Sequence, residues 1–153
     1  MAYTSAMLRL ALATFGLPLI LATTSIAQVT ISVPERHYKT REQIRTKVQN
    51  SGSRPVTLCV GFLGFIEETP SPFWVERNSG GKWRTLILGP DVGGQRGAWV
   101  LEPGESREFF VRLSDLGRMR LRLDYWKGSI PKLDCDSPPK GSKLATSAVF
   151  VIE

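Results

Sequence analysis

The sequence predicts an all-β fold, an antiparallel sandwich of about seven or eight strands in one domain, and three observations carry that expectation. Arg118 to Tyr125 alternates polar with apolar side chains without a break. On a helix Met119, Leu121 and Leu123 would spread over about 200°, whereas a strand gathers them on one face. Short apolar or alternating segments recur at spacings of roughly 8–15 residues, divided by clusters of Gly, Pro, Asn and Ser. No segment carries three turns of helical periodicity.

The chain has 153 residues, of which 42% are apolar and 22% charged, a composition that excludes disorder and a polytopic membrane protein. Residues 1–27 have the three parts of an export signal: a short start carrying Arg9, the apolar run Leu10 to Ala22, and small residues ending in Ser25-Ile26-Ala27. The apolar run is shorter than the roughly 20 residues of a comfortable span, so cleavage between Ala27 and Gln28 is expected, leaving no stable membrane insertion. The alternative is an uncleaved N-terminal anchor. The remaining 28–153 form one domain, long enough to bury a real core. It keeps 19 basic and 14 acidic residues, net +5. Such a balance suits nucleic acid, but export removes that partner and points to anionic envelope components. The expected location is therefore secreted or periplasmic.

Val29 to Val33 alternates and stops at Pro34, as an edge strand does. Gln43 to Asn50 sets Ile44, Thr46 and Val48 against Arg45, Lys47 and Gln49, and ends in the turn Ser51 to Pro55. Val56 to Ile66 is a nearly continuous apolar run, read as a buried strand with a bulge at Gly61 or Gly64. Pro72 to Arg77 and Lys82 to Leu88 flank Asn78-Ser79-Gly80-Gly81, the strongest hairpin signal in the chain. Gly89 to Gly97 reads as a glycine-rich loop, and Pro103-Gly104 as a turn into the alternating strand Glu105 to Leu113. Lys127 to Lys143 is a long Pro-, Gly- and Ser-rich loop, and Leu144 to Ile152 closes the chain as a last strand.

In this order the motifs resemble the immunoglobulin-like domains of exported bacterial proteins. The likeness lies in Val48-Gln49-Asn50-Ser51-Gly52, the hairpin Trp74-Val75-Glu76-Arg77 to Gly81-Lys82-Trp83, the turn Leu101 to Ser106, and Gly117-Arg118-Met119-Arg120-Leu121. It spans 29–153 and implies a fold without catalytic residues. Met119 replaces the family's usual aromatic residue, and the cysteines do not link the second and sixth strands across the core.

There is one histidine, His37, and there are two cysteines, Cys59 and Cys135, too few for a structural zinc site or an iron–sulfur cluster. No metal or cofactor is expected. An even cysteine pair in an oxidising compartment predicts a Cys59–Cys135 disulfide. His37 lies in the charged stretch Pro34 to Lys39, a poor setting for a catalytic base, and the adjacent pair Glu67-Glu68 would face opposite ways on a strand. Arg118, Arg120 and Arg122 share one strand face at intervals of about 6.7 Å and form the candidate anion-binding stripe. The alternative for the same stripe is a solvated outer face with acids on neighbouring strands. Trp74, Trp83, Trp99 and Trp126 could line a sugar or peptide surface, but large aromatics in a small sandwich are more often core or edge covers; Trp74 and Phe110 are the ones expected to face outward.

The expected function is a non-enzymatic exported domain acting in binding or cell-envelope structure. Its expected partner is a protein, a glycan or an anionic envelope component. The competing expectation is a secreted protease inhibitor presenting Lys127 to Lys143 or Gly89 to Gly97.

Overall fold

Alternation fixes which face of each strand is apolar, and two such faces can be buried only against each other. The computed structural model describes residues 28–61, 71–86 and 96–153. Among them are eleven strands and no helix. The smaller sheet has the order β1 (Val29–Ser32), β3 (Gln43–Asn50), β8 (Ser106–Arg112). The larger runs β2 (His37–Tyr38), β11 (Phe150–Ile152), β9 (Gly117–Lys127), β4 (Val56–Gly61), β7 (Arg96–Leu101). The hairpin β5 (Trp74–Ser79) and β6 (Lys82–Leu86) joins it through β9, as does β10 (Lys143–Thr146).

Ile44, Val48, Phe109 and Val111 from the small sheet meet Leu58, Val75, Met119, Leu121 and Leu123 from the large one in a single buried cluster. Phe73 and Phe109 pack edge to face, 5.6 Å between centroids. This is a two-sheet sandwich. It sets β3 and β8 in one sheet against β4 and β9 in the other, the immunoglobulin-like partition.

Two turns of the sequence reading have clear causes. Asn50 is fully buried; its Nδ2 donates to the carbonyls of Arg54 (2.8 Å) and Leu101 (3.0 Å), and its Oδ1 accepts from Gly52 N–H (3.0 Å). At Glu102 to Glu105, Gly104 has φ 79°, and Glu105 N–H closes the turn on Glu102 C=O at 2.9 Å, as a type II turn requires.

The structure adds three elements to those expected. β2 pairs with β11 in parallel, the one parallel ladder among the described strands. Pro34 ends β1, the chain crosses to the other sheet, and buried Tyr38 anchors it edge to face on Phe150 at 5.8 Å. β7 begins at Arg96 and Gly97, residues read as loop because of the glycines before them; Gly97 lies opposite Val60 in the ladder. The last strand is two. Thr146 lies opposite Arg122 but Phe150 opposite Met119, so Ser147 to Val149 hold one residue more than β9, a bulge. Ser147 fastens it: Leu121 N–H donates to Ser147 Oγ (2.9 Å), and Ser147 N–H donates to Leu121 C=O (2.9 Å).

Candidate binding face

Because Met119, Leu121 and Leu123 point into the core, alternation turns Arg118, Arg120, Arg122, Asp124 and Trp126 to the outer face of the large sheet. β5 lies beside β9 with Trp74 opposite Arg122 and Glu76 opposite Arg120, and Val75 pointing inward. Glu76 is buried, and its two carboxylate oxygens accept from both neighbours: Arg120 Nε at 2.6 Å and Arg122 Nη1 at 3.1 Å. Arg120 also lies over the ring of Trp83 at 4.3 Å, and Arg122 over Trp74 at 5.8 Å. The result is a ladder, Trp83–Arg120–Glu76–Arg122–Trp74.

The three arginines of the sequence reading therefore do share a face, but two of them are bound to one internal carboxylate. Arg118 is exposed and stands apart near the end of β9, opposite Val151. Arg122 Nε is buried without a hydrogen-bond partner, so Arg122 is the less satisfied of the pair. Glu76 was missed because a single strand does not announce its lateral neighbour. The available signal was the alternation Trp74-Val75-Glu76, which sets Glu76 opposite to the core.

Beyond the ladder the sheet forks. β4 pairs with β9 from Val56↔Lys127 to Leu58↔Tyr125 and then continues with β7 alone. β5 takes up β9 at Trp74↔Arg122. Gly61 and Ser71 exchange backbone hydrogen bonds of 3.1 and 2.9 Å. Asp124 lies at the fork, and over it opens a cleft of about 200 Å³. Pro72, Trp74, Asp124 and Trp126 line it from the sheet, with Arg96 from β7. The other wall is Cys59, Cys135, Asp136 and Pro138.

That wall exists because Cys59 and Cys135, 76 residues apart in sequence, form a disulfide. The bridge lies outside the sandwich core, and it lays segment 128–142 along the outer face as a strap. Trp126, Leu133 and Cys135 form a second buried cluster beneath it, with Cys59, Ala98 and Ile130 against them. Burying side chains of that size is worth about 1.5–3 kcal/mol each. Polar ties add to it: Trp126 Nε1–H donates to Pro139 C=O (3.0 Å), Arg96 Nη1 to Cys135 C=O (2.9 Å), and Thr57 Oγ1 to Gly128 C=O (2.8 Å). Within the strap, Asp134 Oδ1 accepts from the N–H groups of Asp136 (3.0 Å) and Ser137 (3.2 Å).

The charges around the cleft pair off. Arg96 Nε is 3.5 Å from Asp136, and Asp124 is 4.0 Å from Arg122 Nη2. Asp124, with a third of its side chain exposed, is the carboxylate least engaged by the protein itself. Among the described residues no three His, Cys, Asp or Glu side chains converge to hold a metal ion.

His37 is an exposed edge residue, 3.8 Å from the Glu153 carboxylate and remote in sequence from both cysteines. Phe110 and Trp74 face outward as expected, both half-buried. Trp99 instead packs inward on Phe109 at 5.9 Å. Arg45 and Lys47 lie on the small sheet, away from the ladder, and Arg45 donates to Glu108 at 2.6 Å. The signal segment with its Ala27/Gln28 junction lies outside the described residues, except that Gln28 itself donates from Nε2 to Arg54 C=O at 3.1 Å. The pair Glu67-Glu68 and most of the loop from Gly89 also lie outside them. Among the described residues no helix is long and apolar enough to cross a membrane.

No protein-family model matches the chain, and no curated protein matches it in sequence. Among solved structures, an ASH / PapD-like domain of human CEP192 (PapD-like domain 7) is similar at 10% identity, covering 95% of this chain and 99% of that one, with a TM-score of 0.31.

Proposed function

We propose that the protein is an exported, non-enzymatic binding domain whose ligand seat is the cleft at the β4/β5 fork. The observation that carries this reading is convergence. Side chains from β4, β5, β7, β9 and the disulfide-held strap meet around one concavity that combines two tryptophans with a few placed polar groups, the composition expected of a ligand site. Export rests on residues 1–27, and a disulfide suits an oxidising compartment.

The competing expectations lose ground on specific contacts. An anion-binding stripe at Arg118, Arg120 and Arg122 is weakened because Glu76 already occupies two of the three guanidinium groups. An inhibitory loop at Lys127 to Lys143 is weakened because Leu133 and Cys135 are buried against the sheet, so that segment lies flat.

A binding screen of the mature protein against glycans, peptides and anionic lipids tests the proposal, run with two variants. Trp74→Ala alters the cleft; Arg118→Gln removes the stripe guanidinium that Glu76 does not hold and that stands apart from the cleft. Binding lost in the first and retained in the second supports the cleft. The opposite pattern restores the stripe and sinks the proposal.

A further inference from the structure

Resting on the cleft as the ligand seat, we infer that its occupant is a neutral sugar ring. Charge is the first reason. Asp136 faces Arg96 at 3.5 Å, Asp124 faces Arg122 at 4.0 Å, and Glu76 bridges Arg120 and Arg122. Among the described residues, each carboxylate beside the cleft thus has an arginine next to it, although the chain as a whole is basic.

Shape and lining are the second reason. A volume of about 200 Å³ is below the range of about 300–1,000 Å³ typical of pockets for drug-sized ligands, and it suits a single ring. A pyranose has an apolar C–H face and a rim of hydroxyls that both donate and accept. Trp74 is half-buried with Arg122 over its ring, and it borders the cleft. The indole face that Arg122 leaves uncovered would attract the weakly positive C–H groups of a sugar. Trp126 is buried and its indole N–H is committed to Pro139, so it acts as a fixed wall.

Asp124 supplies orientation. Its carboxylate only accepts, and its nearest cation, at 4.0 Å, is beyond hydrogen-bond range. Two adjacent hydroxyls can donate to it. Asp136, 82% exposed, can take another from the solvent side. The disulfide holds the far wall in place before the ligand arrives, which lowers the ordering cost of binding.

The test is titration calorimetry and ligand-observed NMR on the purified protein with its disulfide intact. The probes are neutral oligosaccharides of glucose, mannose, galactose and N-acetylglucosamine, a lysine-rich peptide, and dextran sulfate. The variants are Asp124→Asn, Trp74→Ala and Trp74→Phe, with Phe110→Ser on the opposite sheet as control. We expect at least one neutral oligosaccharide to bind, with an affinity that added salt leaves unchanged. Asp124→Asn and Trp74→Ala should each weaken it by about tenfold or more, Trp74→Phe by less, and Phe110→Ser not at all. Binding of the lysine-rich peptide, lost in Asp124→Asn, would overturn the sugar class and leave the cleft as the seat. Sugar binding indifferent to every cleft variant would overturn the seat itself. If no neutral oligosaccharide binds, the inference fails.

Discussion

Glu76 is the residue whose removal tests most of the physics of this face. It is buried, and both carboxylate oxygens are used, at 2.6 Å by Arg120 and 3.1 Å by Arg122. The arginine side chains are each 28% exposed, so water can serve them if the carboxylate is lost, whereas nothing serves the carboxylate if they are lost. The perturbations are therefore unequal. Glu76→Gln keeps one acceptor oxygen and removes one charge-assisted bond, a loss of about 2 kcal/mol. The double variant Arg120→Gln, Arg122→Gln strands a buried charge and should lose about 3–5 kcal/mol. Between the single arginine variants Arg120→Gln should be the more harmful, because its bond is shorter and Arg122 keeps an unpartnered Nε. The outward direction of the three arginines suggests that replacing all of them would spare stability; Glu76 reverses that expectation. Urea unfolding followed by tryptophan fluorescence gives the differences by linear extrapolation. A loss below about 1 kcal/mol in the double variant would mean the ladder behaves as an ordinary surface pair, and the reasoning about Glu76 would be wrong.

Three further outcomes follow from the same structure. The Cys59→Ser, Cys135→Ser protein should fold, since the main core lies elsewhere. Chain-entropy reasoning for a loop this long gives at most about 4.5 kcal/mol, so Tm should fall by on the order of 10 °C, and intact mass should show alkylation at both cysteines of the native chain only after reduction. Asn50→Ala leaves the buried carbonyl of Leu101 and the amide of Gly52 without their partner and should cost about 3 kcal/mol by the same denaturation assay. Glu105 is held below the ordinary carboxylate range, first by the backbone N–H of Glu102 and then by Arg107. Its depressed value adds stability above the ordinary carboxylate pKa, and that stability is lost as pH falls through the lowered value. Glu105→Gln should therefore be less stable than the native chain at neutral pH and converge with it in acid, as seen in denaturation midpoints across pH.

How much of this was legible in the sequence depends on whether the signal was local. The eight-residue alternation at Arg118 forced a strand, and Asn78 to Gly81 forced a hairpin, with Gly80 and Gly81 at φ 59° and 81°. The disulfide followed from an even cysteine count together with the expectation of export. The bulge at Ser147 to Val149 left no trace because one extra residue changes pairing without changing composition. Arg96 and Gly97 were hidden by the glycines before them, although Gly97 tolerates a strand when its neighbours are paired. The site was the least legible part. Its floor, Asp124, was visible as an outward residue of β9, but the fork exists only because β4 leaves β9 where β5 arrives. Glu76 was equally hidden, since its partners stand 44 and 46 residues away.

The central claim is that binding occurs in the disulfide-walled cleft, and the four tryptophan indole N–H signals report on it directly. Trp74 and Trp126 line the cleft, Trp83 belongs to the far end of the ladder, and Trp99 packs toward the core. Their assigned ¹⁵N–¹H resonances should be followed while the tightest-binding oligosaccharide is added. The account predicts that the Trp74 and Trp126 peaks move on a common saturation curve while those of Trp83 and Trp99 stay in place. Movement of Trp83 with Trp74 and Trp126 unchanged would contradict it.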